Sequence, residues 1–220
     1  MSIKNISILG CGWLGFPLAI NLIKEGYIVK GSTTSSSKLQ IMTSNGIHSF
    51  FYDTDKETSS DEYLNLFKSD CLIITIPFKR HFKNPETYLD QVNKILKNAR
   101  EGTIKYILFT SSTSIYNLNN NLVNEDTDIL PTTDRQRVLL DVETLILTSS
   151  TFKSTVCRLS GLYGPNRPIG KFLSGKKFES SGSEPVNLIH IEDVVEIITN
   201  IITLKKWDTV FNLVSDCHPS

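Results

Sequence analysis

Three glycines near the start of the chain have the spacing of a phosphate-binding turn. They stand in the segment Gly10-Cys11-Gly12-Trp13-Leu14-Gly15, which follows an apolar run and precedes apolar residues at helical spacing. In such a turn the first glycine lets the chain leave a strand sharply, the second lets a pyrophosphate approach the main chain, and the third lets the helix pack closely on the sheet. The free N–H groups of the first helical turn then hold the phosphates. All six residues are predicted to bind a dinucleotide. The alternative is a glycine-rich loop without a ligand; the strand before the turn and the helix after it favour the binding site.

The type of dinucleotide depends on the end of the second predicted strand, where an acidic residue would bind the ribose 2′-hydroxyl of NAD. This chain has hydroxyl groups and a lysine there, and no carboxylate: Thr33, Thr34, Ser35 and Lys38. Such donors favour a 2′-phosphate, so the sequence predicts NADP, with NAD as the alternative. A surface loop rich in serine and threonine would have the same composition without a ligand. Asp53, after the third predicted strand, is predicted either to bind the adenine amino group or to be an exposed turn residue.

Strands and helices alternate along most of the chain. Strands are predicted at 3–9, 27–33, 47–52, 71–76, 104–109, 155–159 and 210–213, and helices at 18–23, 38–44, 61–67, 85–100, 135–147 and after 194. This alternation predicts an α/β fold, a Rossmann-type doubly wound parallel sheet with helices on both faces. Ligands bind at the carboxyl ends of the strands in such a sheet, so Ile76, Pro77 and Ser111 are also predicted to contact the cofactor.

The composition excludes several classes of protein. The 220 residues carry 23 basic and 23 acidic side chains, so no charge excess favours nucleic acid or an anionic membrane. No apolar stretch approaches the roughly 18 residues of a membrane span, and the start of the chain lacks a secretory signal pattern. The cysteines and histidines are dispersed, which argues against a metal site or disulfides. We expect a cytoplasmic protein with a small-molecule substrate; its oligomeric state stays open.

Four further segments follow the glycine turn in an informative order. They are Thr110–Tyr116, Arg158–Pro165, Asn187–Val194 and Val210–Leu213. Together they resemble the extended short-chain dehydrogenases/reductases, the family of NAD(P)-dependent sugar-nucleotide epimerases and dehydratases. The GxGxxG spacing differs from the GxxGxxG usual in that family, which indicates an atypical branch. The resemblance implies an oxidoreductase or an epimerase/dehydratase-like enzyme. Its substrate would be a sugar nucleotide or another carbonyl or hydroxyl compound.

The catalytic positions depart from the pattern of these enzymes, in which a serine acts with a tyrosine and a lysine spaced Y-x-x-x-K on a helix. Ser112 matches the serine, but Arg135 and Leu139 stand at the positions of the tyrosine and the lysine. The usual proton relay is therefore absent, and another acid near the strand ends would have to replace it. The candidate acids are Tyr163, Tyr116 and His81. Arg135 would then clamp an anionic substrate through its planar guanidinium.

Three functions are consistent with these residues. The first is an enzyme with Ser112, Tyr163 and Arg135 as catalytic residues, although Tyr163 would equally suit a packing role and Arg135 a surface charge. The second is a protein that senses NADP(H) without turnover. The third is a reductase that shares only the glycine turn, such as the hydroxyacid dehydrogenases, against which the Arg158–Pro165 segment argues.

The chain from residue 1 to residue 220 is predicted to form a single nucleotide-binding domain. In the enzymes it resembles, a substrate lobe follows the Gly164-Pro165 pair. Here residues 166–186 and the C-terminal end leave room only for a small, reduced C-terminal substrate lobe. The sequence is therefore expected to be either a shortened chain or a reduced member of that family, and a sugar-nucleotide substrate remains an analogy.

Overall fold

A seven-stranded sheet dominates the computed structural model, which describes residues 3–55, 61–78, 84–117, 122–170 and 185–218. Its strands are β1 (Asn5–Leu9), β2 (Ile28–Thr33), β3 (His48–Phe51), β4 (Cys71–Ile74), β5 (Tyr106–Ser112), β6 (Lys153–Leu159) and β9 (Thr209–Leu213). Two short strands, β7 (Gly161–Tyr163) and β8 (Leu188–His190), form a separate parallel pair. The α-helices are α1 (Gly15–Lys24), α2 (Ser36–Ser44), α3 (Glu86–Glu101), α4 (Asp134–Leu147) and α5 (Ile191–Thr203).

The order of strands across the sheet is β3-β2-β1-β4-β5-β6-β9, and every neighbouring pair is parallel. The chain winds outward from β1 through β2 and β3, then returns to β4 and winds in the other direction. This is the doubly wound Rossmann arrangement, and it confirms the predicted fold class. The reversal leaves a crevice at the carboxyl ends of β1 and β4, where ligands of such sheets bind.

Two hydrophobic cores cover the two faces of the sheet. The first packs α1 and α5 against one face, and the second packs α3 and α4 against the other. β4 is buried at all its positions, with Cys71 and Ile73 in the first core and Leu72 and Ile74 in the second. A central parallel strand needs apolar side chains on both faces, which is why its apolar run is continuous.

Some elements differ from the sequence-based expectation. β4 ends at Ile74 rather than at residue 76, although the Thr75 N–H still donates to the Leu9 carbonyl oxygen at 3.0 Å. Segment Asp61–Phe67 is a 3-10 helix, not an α-helix. The pair β7–β8 was not predicted, because strands of three residues are too short to show a periodic pattern. Most of the predicted lobe at 166–186 lies outside the described residues, which omit 171–184.

Two negative findings apply to the described part of the chain. None of its helices is both long enough and apolar enough to cross a membrane. It also contains no group of three or more histidine, cysteine, aspartate or glutamate side chains placed to hold a metal ion.

Candidate functional site

The turn between β1 and α1 has close contacts at two of its glycines and open space at the third. A Cβ at Gly15 would lie 2.3 Å from the Gly10 carbonyl oxygen, so only glycine fits there without a shift of the backbone. Gly10 has a φ of +98°, a left-handed conformation that favours glycine. A Cβ at Gly12 would meet just one described atom within 4 Å, the Gly10 carbonyl oxygen at 3.9 Å. Gly12 therefore borders open space of the kind that a bound diphosphate needs.

The entry to α1 offers three consecutive N–H groups. Those of Trp13, Leu14 and Gly15 donate to no acceptor in the described ranges. The first N–H groups of a helix lack intrahelical acceptors, and together with the positive end of the helix dipole they attract anions. The Cys11 and Gly12 N–H groups, in contrast, already donate to the carbonyl oxygens of Ser32 and Gly10, both at 2.7 Å.

Cys11 lies on the core side of the turn. Its side chain is buried, and a Cβ at Gly31 would approach the Cys11 Sγ to 2.5 Å. Burial raises the pKa of the thiol to about 12, with a backbone hydrogen bond at Ser32 acting in the opposite direction. Both the thiol and the N–H group are used inside the fold, which gives the Cys11 side chain a packing role, and its contact with the cofactor stays a prediction.

Two hydroxyl groups brace the turn from the strands on either side of β1. The Ser32 hydroxyl on β2 accepts a hydrogen bond from the Gly10 N–H at 3.0 Å. The Thr75 hydroxyl, directly after β4, donates toward the carbonyl oxygens of Gly10 at 2.8 Å and Leu9 at 3.0 Å. Neither residue was predicted from the sequence to belong to the site. A hydroxyl side chain at the end of each strand beside β1 is the signal that would find them.

The residues predicted to select the cofactor lie between β2 and α2. The Thr33 hydroxyl accepts a hydrogen bond from the Ser35 N–H at 3.1 Å, which forms a local turn into the helix. Thr34 and Lys38 are exposed, and Ser35 is half-buried. The loop therefore presents hydroxyl groups and one ammonium group at the carboxyl edge of the sheet.

Asp53 is brought to the same edge from the neighbouring strand. The Tyr52 N–H donates to the Thr33 carbonyl oxygen at 3.1 Å, which extends the pairing of β2 and β3 up to this aspartate. The Asp53 carboxylate accepts the Asp55 N–H at 3.1 Å. The structure thus gathers all five residues of the predicted ribose and adenine region at one end of the crevice.

The ends of β4 and β5 carry the remaining predicted cofactor contacts. Ile76 lies against the glycine turn, where a Cβ at Gly10 would be 3.4 Å from its Cγ1, and Pro77 next to it is exposed. The Ser111 hydroxyl is buried and has no hydrogen-bond partner in the part of the chain that the structure describes. Buried polar atoms are nearly always paired, so this hydroxyl is the kind of atom that a bound molecule would satisfy.

Arg135, at the first substituted catalytic position, packs on the loop after β4. Its guanidinium carbon lies 4.3 Å from the centre of the Phe78 ring, and its Nη1 donates to the Phe78 carbonyl oxygen at 3.3 Å. The buried Tyr88 is close by, and its hydroxyl donates to the Ile76 carbonyl oxygen at 2.9 Å. Burial raises the pKa of Tyr88, and the charge of Arg135 lowers it in part. Arg135 therefore reaches from the start of α4 to the carboxyl edge, where it packs against the loop that carries Ile76 and Pro77.

The other two catalytic positions differ in kind. Leu139, which stands at the lysine position, is buried in the core between α4 and the sheet. Ser112 ends β5, and its half-buried hydroxyl accepts the Ser114 N–H at 3.2 Å. No described hydrogen bond or ring contact joins Ser112, Arg135 and Tyr163 to one another.

Tyr116 belongs to a buried polar network. Its hydroxyl accepts Nη1–H of Arg158 at 2.6 Å and lies 3.0 Å from Asn212 Oδ1 and 2.9 Å from the Asn124 carbonyl oxygen. Arg158 also pairs with Glu143 of α4, Nη2 to Oε2 at 2.8 Å, with side chains only 6% and 1% exposed. Burial would lower the pKa of Arg158, but its hydrogen bonds and the charge of Glu143 raise it. The Tyr116 hydroxyl is therefore held inside the fold.

Tyr163 lies in the small β7–β8 sheet, where it is paired in register with His190. The two rings meet edge to face with centres 5.0 Å apart. The segment after Tyr163 reaches the glycine turn, since the Trp13 indole N–H donates to the Pro165 carbonyl oxygen at 3.0 Å. His81, the remaining candidate acid, lies outside the described residues.

Several solved structures have folds similar to that of this chain. A NAD-dependent epimerase/dehydratase, so far putative, from Methylobacillus flagellatus has a TM-score of 0.76 at 20% identity, covering 98% of this chain and 77% of its own. UDP-glucuronic acid 4-epimerase from Bacillus cereus, in complex with a fluorinated UDP-sugar and NAD, has a TM-score of 0.77 at 18% identity, covering 97% and 78%. MoeE5 in complex with UDP-glucose and NAD has a TM-score of 0.77 at 15% identity, covering 96% and 76%. At these identities the likeness concerns the fold.

Sequence comparison is more specific. The YeeZ protein of Escherichia coli K12 is 35% identical over 219 residues, which cover 99% of this chain and 80% of YeeZ. Residues 5–127 match the family described as the NAD binding domain of 6-phosphogluconate dehydrogenase. The matched segment contains β1, the glycine turn and every strand up to β5. The chain therefore belongs to this family of NAD-binding domains.

Proposed function

We propose that this protein binds NADP(H) and is an oxidoreductase or an epimerase/dehydratase-like enzyme acting on a small molecule. The observation that carries the proposal is the glycine turn, where Gly12 borders open space beside three N–H groups with no described acceptor. A nicotinamide cofactor supplies hydride transfer when bound. The turn would hold its diphosphate, and the buried Ser111 hydroxyl would gain a partner at the end of β5.

The choice of NADP over NAD rests on the loop between β2 and α2. Thr34, Ser35 and Lys38 are donors in the loop after β2, and in folds of this type that loop faces the ribose 2′ position of the dinucleotide. A 2′-phosphate accepts hydrogen bonds from hydroxyl and ammonium groups, and these charge-assisted bonds are stronger than neutral ones. Asp53, at the end of the adjacent strand, is then left for the adenine amino group.

The substrate proposed is a sugar nucleotide or another compound with a carbonyl or hydroxyl group. Ser112 would hydrogen-bond that group from the end of β5. Arg135 lies over the Phe78 ring and donates to the Phe78 carbonyl oxygen, and its planar guanidinium would use further N–H groups to bind an anionic group of the substrate. MoeE5 and the Bacillus cereus epimerase, whose folds are similar, are each solved with a UDP-sugar and NAD. This supports, by analogy, a nucleotide-linked substrate.

The proton donor that we favour is Tyr163. Tyr116 is committed to Arg158 and Asn212 inside the fold, whereas Tyr163 is half-buried and followed by a segment that touches the glycine turn. In this scheme Ser112 orients the substrate oxygen and Tyr163 moves the proton. We propose one nucleotide-binding domain throughout, with residues 166–186 and the C-terminal end as a reduced substrate lobe.

A second candidate is a non-catalytic NADP(H) sensor. The observation that favours it is the loss of both members of the Y-x-x-x-K pair to packing. Leu139 is 2% exposed in the core, and Arg135 is stacked on an aromatic ring. A sensor needs the nucleotide turn and does not need a proton relay.

Turnover of NADPH decides between the two candidates. We expect NADPH binding in a calorimetric titration and substrate-dependent NADPH oxidation with at least one member of a panel of carbonyl compounds and sugar nucleotides. The Ser112→Ala variant should bind NADPH as the parent does and oxidise it at least about 100-fold more slowly, the range typical of a lost catalytic group. Tight NADPH binding with no turnover across the panel would support the sensor. Absence of NADPH and NADH binding would contradict both.

A further inference from the structure

A second turn is fastened onto the glycine turn. Residues 164–167 form a β-turn closed by two hydrogen bonds between Gly164 and Arg167, at 3.3 and 3.0 Å. Pro165 supplies the fixed φ of its second position, and Asn166, with a φ of 62°, supplies the left-handed third position of a type II turn. The Pro165 carbonyl oxygen accepts the Trp13 indole N–H at 3.0 Å, a bond between residues 152 positions apart. We call residues 164–167 the latch turn.

The latch turn is also packed from its other side. Gly164 has a φ of +151°, and a Cβ there would lie 2.6 Å from Ile191 Cγ2 and 3.2 Å from His190 Nε2. Both of these residues belong to the junction of β8 and α5. Contacts on two sides therefore fix the latch turn relative to the glycine turn.

Arg167 is the residue of the latch turn that carries charge. Its guanidinium carbon lies 5.1 Å from the centre of the Trp13 ring, and the residue is exposed. A guanidinium that lies over an aromatic ring keeps its charge, and its planar fork of N–H donors matches the geometry of a phosphate. Trp13 directly follows Gly12, the glycine that borders open space. The stack therefore holds a positive charge beside the proposed diphosphate site.

The two turns carry no acidic side chain of their own. Neither the glycine turn, residues 10–15, nor the segment 161–170 contains an aspartate or a glutamate. The neighbouring start of α5 carries Glu192 and Asp193, and the Glu192 carboxylate lies 3.7 Å from His190 Nδ1. The N–H groups at the start of α1 add the partial positive charge of a helix N-terminus. We infer, on the basis of the proposed function, that Arg167 binds the diphosphate of the dinucleotide held at the glycine turn, with Trp13 as its aromatic support.

Replacement of the guanidinium is the direct test. NADPH is titrated into the parent protein and into Arg167→Gln, Arg167→Lys and Arg100→Gln. The last is a matched control, because Arg100 also stacks on a ring, that of Phe152 at 5.9 Å, but lies at the opposite edge of the sheet. We expect Kd to rise about tenfold in Arg167→Gln, the range of one charged hydrogen bond, and less in Arg167→Lys. Arg100→Gln should leave Kd unchanged.

The salt dependence separates a phosphate contact from a packing effect. Kd for NADPH in the parent should rise with potassium chloride, and the slope should be lower in Arg167→Gln, because one ion pair with the phosphates is lost. The Trp13→Phe variant keeps an aromatic ring for Arg167 and removes the N–H that bonds Pro165. We expect this variant to raise the Kd for NADPH by about threefold, the range of one neutral hydrogen bond. An unchanged Kd and slope in Arg167→Gln would overturn the inference.

A second titration tests whether Arg167 contacts the diphosphate of the cofactor or that of a second nucleotide. UDP-glucose is titrated into the parent protein and into Arg167→Gln, each saturated with NADPH. If Arg167→Gln binds NADPH more weakly and UDP-glucose with unchanged affinity, the group that Arg167 contacts is the cofactor diphosphate. If the variant binds NADPH with unchanged affinity and UDP-glucose more weakly, this assignment is overturned in favour of a second nucleotide. Failure of the parent protein to bind NADPH contradicts the proposed function itself, which is a different result from an unchanged Arg167 variant.

Discussion

The two halves of the carboxyl edge differ in how they present chemistry. The half around β1, β2 and β3 offers main-chain N–H groups beside Gly12, supported by hydroxyl groups of Ser32 and Thr75. The half around β5, β6 and α4 offers side chains, and most of these are engaged in packing. Leu139 is buried and Tyr116 bonds Arg158. A site made of main-chain groups depends mainly on the glycine spacing, whereas a site made of side chains is lost when single residues change.

A side chain at position 12 is the strongest test of the main-chain site. Gly12→Val places Cβ and its methyl groups in the open space next to the turn, so we expect NADPH binding to disappear in calorimetry, at least about 100-fold weaker. The thermal unfolding midpoint of the unliganded protein should stay within about 2 °C of the parent value, because the added Cβ has no close neighbour among the described atoms.

Gly15→Ala is the matched contrast for that variant. The added Cβ would meet the Gly10 carbonyl oxygen at 2.3 Å, so the turn itself must shift. We expect a loss of about 1–3 kcal/mol in the free energy of unfolding in urea. Equal stability of Gly15→Ala and the parent would contradict the packing role of Gly15, and NADPH binding retained by Gly12→Val would contradict the role of the open space.

The buried ion pair is the corresponding weak point of the other half. Glu143→Gln removes the charge facing Arg158 and leaves a buried cation, so we expect a loss of about 3 kcal/mol in the free energy of unfolding. Glu86→Gln is the surface control. It breaks the exposed pair with Arg137 at 2.7 Å, and we expect a loss of at most about 0.5 kcal/mol. NADPH affinity should be close to the parent value in both variants. An equally small loss of unfolding free energy in Glu143→Gln and Glu86→Gln would show that the Arg158 network does not stabilise this half.

The cofactor loop provides a test within the nucleotide half. Thr34 is exposed at the end of β2, so an aspartate there should fold normally and repel a 2′-phosphate while accepting the two hydroxyls of a ribose. We expect Thr34→Asp to raise the Kd for NADPH at least about tenfold, so that NADH becomes the tighter ligand. The neighbouring Ser37→Asp variant measures the effect of a charge farther along the loop. A parent protein with equal Kd values for NADPH and NADH would contradict the role assigned to this loop.

Features that depend on local sequence were predictable. The continuous apolar run at 71–76 indicated a central strand, and the glycine spacing with its flanking elements indicated the turn. The contacts that complete the site join distant parts of the chain, such as Trp13 with Pro165 and Thr75 with Gly10. No periodic pattern encodes such pairs, because each depends on which strands become neighbours. The burial of the Cys11 side chain was not predictable for the same reason, since the sequence does not show which side of a turn faces the core.

The reaction rates of the buried cysteines with a thiol reagent report local opening of the two halves of the fold. Cys11 lies in the nucleotide half and Cys157 on β6 in the other, and burial raises the pKa of both thiols to about 12. In the native protein only the exposed Cys217 should react rapidly with a thiol reagent at pH 8, and Cys217→Ser should abolish that phase. In this variant the slow labelling of Cys11 and Cys157 reports local opening, read by mass spectrometry of peptides. NADPH at about 100 times its Kd should slow the labelling of Cys11 by up to about 100-fold, because opening of the turn releases the ligand. The labelling of Cys157 should be slowed less, since β6 does not carry the turn. Equal protection of both thiols would mean that they are exposed by one global unfolding event, and the two halves would then not differ in stability.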